Sequence, residues 1–146
     1  MNTTSTDLHG RLTELTRGLR KLHKTLIDAA TVQFAEPVGG ALEHLQLITN
    51  HPHFAWLLKL SGVMAELDER LDDQETPLDQ DAANGLRQGI EALIGPAAPV
   101  DPMFRANYTT LLHASPEVVM AHGAVRQLLD AVGPRPAAAA ATPPTA

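Results

Sequence analysis

The chain contains no cysteine and, in 146 residues, only five aromatic side chains: three Phe, one Trp and one Tyr. The first absence excludes disulfides and thiolate metal sites and leaves the redox compartment open. The second means that a core must be assembled from Leu, Val, Ile and Ala, a composition that favours helices over strands. Serine is scarce too, at positions 5, 61 and 115, and no GxGxxG, P-loop, GxSxG or HExxH motif occurs. Enzymatic chemistry therefore has no motif behind it. No apolar run approaches the ~20 residues that span a bilayer, and "MNTTSTDLHG" has neither the positive n-region nor the apolar h-region of a secretory signal. We expect a cytoplasmic protein with no membrane partner.

What charge there is sits unevenly. The net charge is −6, and residues 51–100 hold three basic and nine acidic side chains, whereas the flanking segments are balanced. Phosphate recognition needs clustered Lys and Arg, so a nucleic-acid partner is not expected.

Proline is the organising residue. Glu36-Pro37, His51-Pro52, Thr76-Pro77, Asp101-Pro102 and Ser115-Pro116 each read as a helix start, because proline fits the first turn and pushes its predecessor out of helical backbone. Thr76, Asp101 and Ser115 are also good capping types. Gly95-Pro96 and Gly133-Pro134 read as helix ends. Between these marks the apolar period is helical. Leu8, Leu12, Leu15, Leu19, Leu22 and Leu26 are spaced 4, 3, 4, 3, 4, and similar rows follow from Leu57 to Leu71, Leu78 to Leu93 and Val118 to Val132. The pattern predicts an all-α, single-domain bundle (residues 1–133) of about six helices. These are expected near 6–34, 37–49, 52–73, 77–94, 102–113 and 116–132. The Pro/Ala-rich residues 134–146 are expected to be a disordered tail.

"NHPHFAW" (Asn50–Trp56) is the most chemically suggestive stretch. As a plain turn, Asn50 ends one helix, Pro52 starts the next, and Phe54, Trp56 and Leu57 anchor it in the core. The alternative is a metal site. A second helix doubling back for ~13 residues covers about 20 Å, which would bring His51 and His53 level with His23, a set able to hold zinc or another divalent cation. We expect the turn, and no cofactor. The acidic run from Glu66 to Asp81 fits no EF-hand register, and His122, on an apolar seam, reads as a satisfied core histidine.

The six-leucine row of the first helix is longer than the helices next in sequence. It therefore predicts a homodimer through Leu8, Leu12, Leu15, Leu19, Leu22 and Leu26. A basic stripe of Arg17, Arg20, Lys21 and Lys24 would meet the acidic end of the third helix in the other subunit. The blocks "HPHFAWLLKLSGVMAELDERLDD" and "FRANYTTLLHASPEVVMAHGAVRQLLDAV" resemble a group of short bacterial proteins with no assigned activity. That resemblance implies a bacterial, cytoplasmic protein and carries over no functional residue. The expected function is a self-associating interaction or structural module, with a histidine-based metal- or small-ligand-binding bundle as the alternative.

Overall fold

The computed structural model describes residues 2–34, 39–95 and 101–133, with side chains from Asp7 onward. Seven helices and no strand occur among these residues: α1 (Asn2–Gln33), α2 (Ala41–Asn50), α3 (Pro52–Ala55), α4 (Leu58–Asp72), α5 (Gln80–Ile94), α6 (Pro102–Ala114) and α7 (Pro116–Val132). The expected all-α bundle is what forms. Pro37, Pro96 and the expected tail 134–146 lie outside the described residues.

Most starts follow the proline-and-cap logic. Asp101 Oδ1 accepts from the Phe104 N–H at 3.0 Å and Ser115 Oγ from the Val118 N–H at 3.3 Å, with proline next in each case. Thr76 is the exception. Asp73 Oδ1 accepts from the N–H groups of both Glu75 and Thr76, closing residues 73–76 into a turn of their own. The cap passes to Asp79, whose Oδ1 takes the Ala82 N–H at 2.8 Å. Leu78 just before that cap and Ala83 one turn inside are both buried, the positions of a hydrophobic staple. The helix expected over 52–73 is tightened at Trp56 and Leu57. There the backbone stays right-handed but bonds i to i−3, as in Leu57 N–H to Phe54 O at 2.9 Å.

α1 is the spine. All six leucines of its row are buried, together with Ala30, by elements of the same chain. α7 runs antiparallel along α1. Its neighbourhood pairs Gly18 with Val125 and Leu128, and Thr25–Gln33 with Ala114–Glu117. A Cβ on Gly18 would sit 2.5 Å from Leu128 Cδ1, so a side chain there would make Leu128 shift. α4 lies antiparallel on another side of α1. His9 reaches the Leu71 carbonyl at 3.1 Å, Arg20 the Asp68 carboxylate at 3.2 Å, and His23 the Ser61 hydroxyl at 2.9 Å.

Two expectations change here. The leucine row is not left uncovered by the chain's own helices, because α7 returns over it, so the row that motivated a dimer belongs to the protomer's core. Three of the four residues of the basic stripe are partnered within the chain as well: Arg20 with Asp68 of α4, Arg17 with Glu14 and Lys24 with Asp28. These ion pairs are exposed and contribute little stability, but Arg20 and the His9 bond supply the positive and donor groups that the acidic end of α4 calls for.

If the row is core, Leu12→Glu/Leu19→Glu introduces two charges into a buried apolar seam with no partner for either. The double variant is expected to lose its helical circular dichroism rather than become a folded species of lower mass. A well-folded double variant would contradict this packing.

Candidate functional site

The histidine corner is built by local sequence. Pro52 opens α3 and leaves His51 extended, and the His51 Nδ1 caps the turn by accepting from the His53 N–H at 3.1 Å. His53 Nε2 donates to the Ala30 carbonyl near the end of α1 at 2.7 Å. Phe34 packs against His51, His53 and Phe54 with ring centroids 5.0, 5.2 and 5.3 Å away. Phe54 and Leu57 are fully buried, as the turn reading requires. Trp56 is only half-buried; its indole N–H donates to the His53 carbonyl at 3.0 Å and its ring meets Phe104 edge-on.

The structure does not bring His23, His51 and His53, the set of the alternative metal reading, to one level. α2 has no buried residue and does not descend α1; its His44 sits at Thr31, with Nε2 to Oγ1 at 3.0 Å. His53 therefore meets α1 at Ala30, seven residues and about 10 Å of helix above His23. His23 is engaged with Ser61 instead. Among the described residues no group of three or more His, Asp or Glu side chains could hold a metal ion. The Ser61–His23 pair resembles half of a nucleophile–base arrangement. Ser61 lies inside α4, however, with its own N–H committed to the Leu57 carbonyl, so the helix offers no local oxyanion donor from that group.

A second polar centre, with no local signature in the sequence, joins α5, α6 and α7. The Tyr108 hydroxyl and His122 Nδ1 are hydrogen-bonded at 2.6 Å. Glu91 of α5 is shared by Arg126 of α7 and by Arg87, which also lies 3.8 Å from Asp130. Arg87 is largely buried, and its Nη1 has no hydrogen-bond partner. Arg105 Nε donates to the Leu93 carbonyl at 2.8 Å, closing the end of α5. Burial pushes the Tyr108 hydroxyl well above the ordinary phenol range, against the opposing pull of Arg105 and Arg126. Burial, then Arg126 and Arg105, lowers His122. The expected satisfied histidine at 122 is present, half-buried, with the chain's single tyrosine as its partner.

The third feature is apolar. Among the described residues seven large hydrophobic side chains are exposed, among them Val32 in the last turn of α1, Leu42 and Leu45 on α2, and Val119 and Met120 in the first turns of α7. A cavity of about 380 Å³ opens between Thr25, Ala29 and Val32 of α1 and the Ala114–Glu117 corner. Val32 is 84 % exposed and Met120, one turn beyond Pro116 on the same face of α7, is 74 % exposed. Asp28 and Glu117 stand on the rim.

No protein-family model, curated protein or solved structure matches the chain. The site has to be read from its own chemistry.

His23 and His122 both have folded-state pKa values below the ordinary 6.5. The unfolded chain therefore binds more protons in that range, and the stability these two groups contribute is complete above pH 6.5. It is lost as the pH falls from there through their lower folded values. Urea midpoints of the wild type are expected to fall between pH 7.5 and 5.5, and less steeply for His23→Gln and His122→Gln. An unchanged pH slope in both variants would contradict the assignment.

Proposed function

We propose that the chain is a non-enzymatic helical interaction module that docks a partner's apolar, positively charged helical segment on the end where α1 stops and α7 starts. The observation that carries this reading is the groove of about 380 Å³ between the end of α1 and the Ala114–Glu117 corner, with the exposed Val32 in its lining and the exposed Val119 and Met120 in the turn of α7 that follows. A concave surface of this kind is where an amphipathic helix lays its apolar face.

Charge selects the occupant. Glu117 lines the groove with Asp28, which also pairs with Lys24, and Glu43 lies on α2, in a chain whose net charge is −6. A segment carrying Lys or Arg beside its apolar face complements that rim. A second copy of the same end would bring the same acids together, so self-association is the less favoured form of the reading. The resemblance of residues 51–73 and 104–132 to short bacterial proteins supports a bacterial, cytoplasmic setting for the module.

Fluorescence anisotropy with labelled designed peptides tests this. A Leu/Lys amphipathic helix is expected to bind the full chain at ~0.15 M salt, and the matching Leu/Glu helix is not. Val32→Lys and Met120→Lys should each weaken binding at least about tenfold without changing helical content, since an apolar contact is lost and a like charge added. Met103→Lys, at an exposed site outside this groove's lining, should leave the affinity unchanged. Equal binding of the two peptides, or no effect of the Val32 and Met120 changes, would overturn the proposal.

A further inference from the structure

The Tyr108–His122 centre borders a second cavity, of about 280 Å³, between the end of α5 and the facing sides of α6 and α7. It is distinct from the apolar groove in both place and chemistry. Its polar lining residues are Arg105, Arg126, Tyr108, His122 and Thr109; Ile94 and Leu112 supply apolar wall. Among the described residues no carboxylate lines it; the nearest acid named at this centre, Glu91, stands behind the lining as the partner of Arg126 and Arg87. In a chain with six more acidic than basic side chains, two arginines and no carboxylate in the lining set this cavity apart.

The donor inventory is specific. His122 Nδ1 and the Tyr108 hydroxyl are hydrogen-bonded at 2.6 Å; with the hydroxyl as donor, the neutral ring carries its proton on Nε2. That ring therefore brings a donor, and no further acceptor, to the cavity it lines. Arg126 uses Nη1 on Glu91; a guanidinium has five N–H donors in a planar fork, so this bond anchors the group without exhausting it. The Thr109 hydroxyl adds a donor that rotates to suit its ligand. The site thus presents donors converging beside apolar wall, on side chains held by Glu91, Tyr108 and the Leu93 carbonyl. Preorganised donors of this kind recognise an oxyanion at low reorganisation cost.

We propose that this cavity binds a small organic anion, its carboxylate or phosphate oxygens on Arg126, His122 Nε2–H and Thr109 and its carbon part against Ile94 and Leu112. Arg105 contributes field, and Tyr108 acts as a positioning residue that sets the His122 tautomer. A volume of about 280 Å³ admits a ligand of roughly ten heavy atoms or fewer.

Tyr108 is the chain's single tyrosine, so selective ring labelling gives one nuclear magnetic resonance reporter inside the site. The full chain would be titrated with benzoate, inorganic phosphate and, as the uncharged counterpart, benzyl alcohol. Benzoate is expected to shift the Tyr108 ring signals saturably, with a dissociation constant on the order of millimolar for a ligand of this size. Benzyl alcohol should not shift them saturably. Saturation by phosphate as well would assign recognition to the oxyanion alone, and saturation by benzoate only would assign it to the anion together with the apolar wall; both support the site. Arg126→Lys, which keeps the charge and loses the fork, is expected to weaken benzoate at least about fivefold. Thr109→Val, which removes one hydroxyl and leaves the Glu91 bridges alone, provides the same comparison should the arginine variant fail to fold, with a loss of about threefold or more. No saturable shift with either anion, equal response to benzyl alcohol, or unchanged benzoate affinity in the folded variants would overturn the proposal.

Discussion

Burial of one leucine row decides the rest of this molecule. Leu8 to Leu26 run the length of α1 on a single face, and α7 comes back antiparallel to cover them. A buried leucine is stabilised by about 1.5–3 kcal/mol relative to exposure, so this seam outweighs any polar contact in the structure. At Gly18 the two helices meet closely enough that the Leu128 side chain lies over the glycine. Once α1 and α7 are joined, the Ser115-Pro116 corner fixes where α6 begins its return, and α4 is left to cover another side of α1. The polar groups arrange themselves around that constraint. Arg20, His9 and His23 tie α4 to α1, while Glu91, Arg87 and Arg126 tie α5 to α7.

The same constraint leaves two kinds of surface unspent. At the far end of α1 the bundle runs out of covering helices, because α2 contributes no buried residue. Val32, Leu42, Leu45, Val119 and Met120 remain in water. Between α5, α6 and α7 the packing leaves a small cavity lined by Arg105, Tyr108, Thr109, His122 and Arg126 beside apolar wall. The first surface suits an apolar segment with positive charge and the second a small anion. Neither draws on the histidine corner, whose ring nitrogens at His51 and His53 serve to cap a turn and to bind the Ala30 carbonyl.

Local signals in the sequence predicted well, and long-range ones did not. Asp101-Pro102 and Ser115-Pro116 mark α6 and α7 because capping is settled within four residues. The heptad spacing of α1 identified the buried face but not what buries it: coverage by α7 or by a second copy satisfies the same period. The choice between Thr76 and Asp79 as the start of α5 turned on an Asp73 turn three residues earlier that competes for the Thr76 N–H. The His23, His51 and His53 set rested on how far α2 runs along α1, which no local pattern fixes. Tyr108–His122 and Glu91–Arg126 are pairings 14 and 35 residues apart. His122 was legible as a core histidine from its seam position, whereas the cavity around it depends on how three helices meet.

Native-state hydrogen exchange, read residue by residue at two protein concentrations about tenfold apart, tests the central claim most directly. If the leucine row of α1 is covered by α7 within one chain, the slowest amides should lie in the facing stretches of α1 and α7. α2 should exchange orders of magnitude faster, and the pattern should not change with concentration. Protection of α1 that rises with concentration, or an α7 that exchanges as fast as α2, would contradict it.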